Sequence, residues 1–237
     1  MVSITACIPF KDRDERLLQL TVDSVLAEGV DEIILCNLGI KPLTIVHEKI
    51  VHIHVPLDRW RLGLGYNIAA IHSAGDILLL ILADIIIGEW LVTKSLHLVR
   101  RGKQFVSSSK FVYRCSAPAT ARYLRGNKKQ TDLAVGADRQ GGPNLQGSFC
   151  MIDRHDYFRI GGHDSEMQGW GREDVCFHRR ARVLGYKRVY APGMIFHVFD
   201  GFDMARQAEE DWQINNQIFK QKIKTNWWRS GRRKTIA

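Results

Sequence analysis

The sequence predicts an α/β protein built on a doubly wound, mostly parallel sheet with helices on both faces. Three observations lead there. Strand-like and helix-like segments alternate over residues 4–87 in the order βαββαβ, the rhythm of parallel strands joined by crossover helices. The strand-like runs are nearly continuous in apolar residues, which is how strands covered on both faces read. The chain has 237 residues, 45% hydrophobic and 25% charged, which is enough for one large domain with a sizeable core.

Each element follows from local signals. "ITACIPF" (4–10) is a short β run, and "DERLLQLTVDSVLAEG" (14–29) spaces its apolar residues at the helical period. "DEIILCNL" (31–38) and "IVHIHVPL" (50–57) are again strands, and "LGYNIAAIHSAG" (64–75) is a helix closed by Gly75. The run "ILLLILADIII" (77–87) reads as the most buried strand; with Asp84 inside it, it is too short to cross a bilayer. Residues 117–146 are polar, glycine-rich and basic, and read as a long loop of the kind that carries function. Beyond it come a strand "GSFCMID" (147–153), a short helix "RHDYFRIGG", and a Gly-Trp-Gly turn leading into a helix through "CFHRRARVLG". A strand over "KRVYAPGMIFHVF" (187–199), a helix over 204–224 and a basic, aromatic tail "TNWWRSGRRKTIA" complete the chain. No repeat or clear linker divides it, so a single domain is expected over 1–203, with 204–237 as an appended helix and tail.

A net charge of +9 predicts attraction to polyanions, whether nucleotide phosphates, nucleic acid or an acidic membrane surface. The five cysteines (Cys7, Cys36, Cys115, Cys150, Cys176) are scattered without metal-ligand spacing, and read as small buried hydrophobes in a reducing compartment. The first residues, "MVSITACIPF", have neither the basic start nor the long apolar segment of a signal peptide, so a cytoplasmic protein is expected.

Chemistry concentrates at a few places. Ligands of open α/β sheets bind at the carboxyl ends of the strands, which points to Pro9-Phe10-Lys11 and to Ala83-Asp84. Asp84 follows an apolar run, and a carboxylate buried there unpaired would be costly, so it is expected to face a site. His197 ends another strand, with Met194 three residues before it. An Asp oxygen, a His nitrogen and a diphosphate suit Mn²⁺ or a similar divalent ion, although a hydrogen-bonded core histidine is the plainer reading of His197 alone. Lys11, Arg13 and Arg16 stand where a helix begins, against its dipole, a placement an anion makes tolerable. Glu173 and Asp174 open a helix directly behind Gly169-Trp170-Gly171, and two readings stand there: capping of free N–H groups, or a pair of working carboxylates.

Taken in order, these segments resemble the β-1,4-galactosyltransferase family and its chondroitin-polymerase-like relatives, whose fold is the nucleotide-sugar fold called GT-A. "PFKDRDERL" is similar to the family's Pro-Phe-Arg-x-Arg segment, "LLILADI" to the strand bearing Asp-x-Asp, "GWGRED" to Trp-Gly-Gly-Glu-Asp, and "GMIFH" to Met-x-x-His. "GSFCMIDRHDYFRIGGHDSEM" also follows the family's Gly-Gly-Val-Ser to Asn-Gly-Phe run, and the resemblance covers roughly 4–200. It implies a nucleotide-binding half over about 1–116 and an acceptor and metal half over about 147–203. It implies that Asp84, Met194 and His197 hold Mn²⁺ (or Mg²⁺), that Asp174 is the base and that Glu173 orients the acceptor. It further implies a UDP-sugar site made by Pro9, Phe10, Lys11, Arg13, Asn67, Asp84, Gly147, Ser148 and Trp170, the last on a mobile loop. Three positions depart from the pattern: Leu82 replaces the first Asp of Asp-x-Asp, Val175 replaces a third acid, and Gln168 replaces a second tryptophan.

The function expected is therefore metal-dependent, inverting transfer of a sugar from a UDP-sugar to a glycan or lipid-linked acceptor. A second reading is glycosylation of hydroxymethylated bases in viral DNA, suggested by the tail residues Arg229, Arg232, Arg233 and Lys234 and the basic stretch 122–129. The same tail suits peripheral contact with an acidic membrane. A third reading, a non-catalytic sugar-binding relative, rests on Leu82. The animal members' membrane anchor is not seen in this sequence, so an intracellular enzyme of a bacterium or of a virus-infected cell is expected.

Overall fold

Two sheets, one of seven strands and one of four, carry the fold in a computed structural model. It describes residues 2–99, 103–109, 111–126, 130–135, 137–141, 147–199 and 205–225. The first half runs β1 (Ile4–Phe10), α1 (Glu15–Ala27), β2 (Glu32–Asn37), β3 (Ile50–His54), α2 (Leu62–His72), β4 (Ile77–Ile81), β5 (Ile85–Ile87) and α3 (Leu91–Val99). It continues with β6 (Gln104–Ser107), β7 (Phe111–Cys115), α4 (Ala117–Arg125), α5 (Gln130–Ala134) and β8 (Ala137–Gly141). Then follow β9 (Phe149–Asp153), α6 (Arg154–Ile160), α7 (Glu173–Val183), β10 (Lys187–Tyr190), β11 (Ile195–His197) and α8 (Ala205–Lys224).

The large sheet has the order β10-β6-β9-β4-β1-β2-β3 and the small one β5-β11-β7-β8. In the large sheet β4, β1, β2 and β3 are mutually parallel, β10 is parallel to β6, and only β9 runs against its neighbours β4 and β6. The expected doubly wound arrangement is visible in β1, where alternate residues enter two cores. Ala6 and Ile8 join Leu18, Val22, Leu79 and Leu91 on one face, whereas Cys7 joins Tyr66, Ala69, Tyr157 and Phe177 on the other. That two-sided burial explains the unbroken apolar runs. Gly65 lets α2 lie directly on β1, since a Cβ there would stand 2.6 Å from that of Pro9. All five cysteines are free and buried, and burial pushes the Cys36 and Cys150 thiols up to about 12.

Four segments differ from the sequence reading. The run 77–87 is two strands in two different sheets, because the chain turns at Leu82–Asp84 and β5 leaves to pair with β11. The segment 187–199 likewise splits into β10 and β11, broken at Pro192-Gly193. Residues 117–146 are not one loop: Ser116 caps Ala119 N at 3.4 Å and a proline stands in the first turn, so α4 forms, and α5 and β8 follow. Finally, α2 ends at Ser73, before Gly75. The expected halves interleave, since β9 from the second inserts between β4 and β6. The tail 226–237 and residues 127–129 of the basic stretch lie outside the described residues.

Candidate active site

Asp84 sits in the turn where β4 ends, 5% exposed, at the carboxyl edge of the parallel strands. Its neighbours fix the turn: Thr21 Oγ1 donates to Ala83 O at 2.9 Å, and Val198 N donates to Asp84 O at 3.0 Å. Because β11 pairs antiparallel with β5 and sets His197 opposite Ile85, the imidazole arrives beside the carboxylate. His197 Nε2 is 3.2 Å from Asp84 Oδ2, and a guanidinium nitrogen of Arg13 is 3.3 Å from the same oxygen. Burial opposes the charged carboxylate, but His197 and then Arg13 outweigh it and hold Asp84 below its ordinary range.

Among the described residues, the other oxygen, Asp84 Oδ1, is buried with no hydrogen-bond partner. An orphaned buried carboxylate oxygen next to an imidazole nitrogen is a donor set that fits a divalent ion of the Mn²⁺ or Mg²⁺ kind. Met194 immediately precedes β11. Its carbonyl accepts from Gly88 N at 2.9 Å, at the far end of β11, and its side chain is 44% exposed.

Gly147 and Ser148 precede β9, whose register sets Phe149 opposite Ile81, and they therefore lie beside Leu82–Asp84. Ser148 Oγ is 2.7 Å from Ser108 Oγ. A Cβ on Gly147 would stand 3.3 Å from Asp174 Oδ2, so the glycine brings the acid pair of α7 against this edge. The N-cap of α7 is Arg172, with φ 76° and no side-chain cap bond, so neither acid occupies the capping position. Asp174 Oδ1 accepts from Val175 N at 2.6 Å. Desolvation raises both acids; that of Glu173 is pushed up to about 8, with the nearby Asp174 charge adding to the effect. Burial and the neighbouring Asp174 charge thus favour the protonated form of Glu173 at neutral pH.

The remaining expected residues keep contacts of their own. Pro9 and Phe10 are buried in β1, and Phe10 O accepts from Leu38 N at 2.8 Å, so their side chains serve the core. Lys11 stays partly exposed and pairs with Asp12 at 3.0 Å. Asn67 is 4% exposed and its amide is committed to a buried network. It donates to His163 O at 3.0 Å and accepts from Tyr157 Oη and His163 N, each at 2.8 Å. Leu82, where the resembled family has an acid, packs against both hydrophobic cores. Asp153, His155 and Asp156 also gather their ligand atoms within 4.8 Å. They lie at the opposite edge of the sheet, next to Ile77, with Asp153 capping α6 and Asp156 accepting from Tyr186 Oη at 2.8 Å.

Trp170 is 45% exposed, and its loop is held by α8, which the sequence reading left outside the site. Asp211 accepts from Trp170 N at 3.2 Å, and Asn215 donates to the carbonyls of Gln168 and Trp170 at 2.8 and 3.2 Å. No local signal marks these contacts, since they join residues about forty apart in the chain. No helix among the described residues is long and apolar enough to cross a membrane.

The fold is that of the GT-A glycosyltransferases. GalNAc-T7 in complex with UDP, GalNAc and Mn²⁺ aligns with a TM-score of 0.62 at 15% identity, over 84% of this chain and 44% of that one. This chain therefore spans less than half the length of GalNAc-T7. The catalytic domain of Drosophila β1,4-galactosyltransferase 7 with xylobiose aligns with a TM-score of 0.57 at 16% identity, over 89% of this chain and 79% of that one. A mutant of the same Drosophila enzyme with manganese, UDP-Gal and xylobiose gives 0.53 at 15% identity, over the same shares of 89% and 79%. Within this fold, residues 138–200 match the family described as the N-terminal domain of galactosyltransferase. That stretch carries Glu173, Asp174 and His197, while Asp84 comes from outside it. No curated protein matches the sequence.

Proposed function

We propose that the protein is a metal-dependent, inverting glycosyltransferase that moves a sugar from a UDP-sugar to a hydroxyl of a glycan or lipid-linked acceptor. The observation that carries this reading is the pairing of Asp84 and His197, with Asp84 Oδ1 left unpartnered, at the strand edge that Gly147 shares with Asp174. Asp84 and His197 would hold Mn²⁺ or Mg²⁺, which when bound neutralises charge developing on a leaving diphosphate. Lys11 and Arg13, at the end of β1, would add positive charge on the same side. Ionised Asp174 accepts the proton of the acceptor hydroxyl as its oxygen bonds to the anomeric carbon and the carbon–diphosphate bond breaks. Neutral Glu173 donates a hydrogen bond that orients the acceptor.

The retained Asp84, His197 and Asp174 favour an enzyme over a sugar-binding relative, and Leu82 has a packing role that explains its presence. The liganded structures of GT-A neighbours support UDP, Mn²⁺ and a glycan acceptor as the classes to test. A screen of UDP-sugars, with Mn²⁺ and with excess chelator, is the direct experiment. Metal-dependent release of UDP, accelerated by an oligosaccharide, is expected. Turnover undiminished in chelator removes the metal, and transfer to hydroxymethylated duplex DNA but not to oligosaccharides replaces the acceptor.

A further inference from the structure

The two glycines that flank Trp170 are explained by α8. Gly169 has φ 69°, and the Asp211 carboxylate occupies the place where its side chain would begin. Gly171 has φ 95°, and a Cβ there would stand 3.0 Å from Cδ1 of Trp212. Adjacent residues of one helix thus fill both glycine positions of the turn, and Asp211 also accepts from Trp170 N. From the other side, Gly169 N donates to Trp60 O at 2.7 Å, so the turn is gripped on both flanks.

The grip extends to the acid pair. The Arg172 guanidinium carbon lies 4.8 Å from the Trp212 ring centroid and 5.5 Å from that of Phe219, both on α8. Among the described residues its Nε is buried without a hydrogen-bond partner, as expected for a guanidinium held by ring faces. Arg172 immediately precedes Glu173, and its φ of 76° sets the direction in which the first turn of α7 leaves the loop. Farther along α8, buried Lys222 pairs with buried Asp164 and, at 3.1 Å, with Glu166. Asn215, also buried, ties Gln168 and Trp170 between these points. The clasp leaves a cleft of about 180 Å³ between α8 and the loop, lined by Arg59, Glu166, Gln168, Asp211 and Ile214 among others.

We propose that α8 belongs to the acceptor side of the site, with Asp211 and Trp212 as positioning residues. Asp211 fixes the Trp170 turn, and Trp212 fixes Arg172 and through it Glu173 and Asp174. Neither touches the reacting atoms. This rests on the transferase reading above and deepens it, because it assigns acceptor placement to a helix outside the galactosyltransferase-like stretch 138–200.

The test compares Asp211→Ala, Asp211→Asn and Trp212→Leu with the unsubstituted chain by hydrogen exchange and by kinetics. Asp211→Ala removes the acceptor of the Trp170 amide, which should exchange faster; Asp211→Asn retains a carbonyl oxygen and should restore protection. In kinetics, Asp211→Ala should raise the acceptor KM at least about tenfold, with the donor KM within about twofold, and Asp211→Asn should recover most of the loss. Trp212→Leu should lower kcat with the acceptor, and serves as the independent arm if Asp211→Ala does not fold. Faster exchange with both acceptor constants unchanged overturns the proposal. Should the unsubstituted chain transfer no sugar to any acceptor while Asp211→Ala still releases the amide, the transferase reading has failed and the clasp is a structural contact only.

Discussion

Among the described residues, Asp84 sets one carboxylate oxygen beside His197 and Arg13 and leaves the other without a hydrogen-bond partner, so the two halves of one side chain differ. Oδ2 is held by His197 and Arg13, which favour the ionised group; Oδ1 is the oxygen proposed to meet the cation. Replacing His197 by Ala is expected to weaken Mn²⁺ binding at least about tenfold, as loss of a group beside a metal does, with the melting temperature nearly unchanged. Calorimetric titration with Mn²⁺ and a thermal melt read the two effects, and a large fall in melting temperature would show His197 to be a core residue. The acid pair gives a second prediction. Transfer should rise with pH as Asp174 ionises and fall again near 8 as Glu173 loses the proton with which it orients the acceptor. Glu173→Gln, permanently neutral, should remove the alkaline fall, whereas Asp174→Asn should lower turnover about a hundredfold or more at every pH. The same shift bears on stability. The folded pKa of Glu173 is raised above its ordinary 4.5, so its contribution is complete below that value and is lost as pH rises through about 8. Melting curves of Glu173→Gln should therefore lose part of their decline between those limits.

Among the elements, the Trp170 turn and α8 are best understood together. A turn with two residues at positive φ is set by glycines, but the reason that no side chain is tolerated lies in the helix packed on it. Gly169→Ala meets both obstacles, an unfavourable φ and the Asp211 carboxylate. It should cost more than the roughly 1 kcal/mol of conformational strain alone. Urea unfolding measures this, and a neutral result would mean that α8 shifts away without penalty. Helix α4 teaches a related lesson. Its basic, polar composition suggested a loop, yet Ser116 and the proline of the first turn supply a helix start that outweighs composition. The break at Asp84 is a third case: an apolar run long enough for one strand divides between two sheets, and the division sets the buried carboxylate at the end of the parallel strands.

Across the whole molecule, residues distant in sequence build each part of the site. Asp84 follows β4 and His197 closes β11, while the acid pair reaches the same edge because β9 runs antiparallel between β4 and β6. Helix α8 is tied into this body by a buried ion pair, Lys222 with Asp164, which Cys176 Sγ also approaches at 3.6 Å from Asp164. Replacing Lys222 by Met leaves a buried carboxylate without its cation, and should destabilise the chain by about 3–5 kcal/mol. One cooperative unfolding transition, shifted by that amount, is the expected result; early loss of α8 with the rest of the fold unmoved would show it to be a separate appendage.

What the sequence determined by itself was local and periodic. The unbroken apolar runs of β1, β2 and β4 declared strands covered on both faces, and helical spacing declared α1. A carboxylate closing the most apolar run, and two acids behind a glycine-flanked tryptophan, pointed to where chemistry is proposed to gather. The tertiary structure decided which of those residues meet. It set His197 beside Asp84; it turned Asn67 into a buried network and Leu82 into a contact between cores. It also placed Asp211 and Trp212 against the two glycines. The physical reason is that period and composition report what one segment buries, whereas a contact between residues 170 and 211 depends on strand order and packing, for which no single segment carries a pattern.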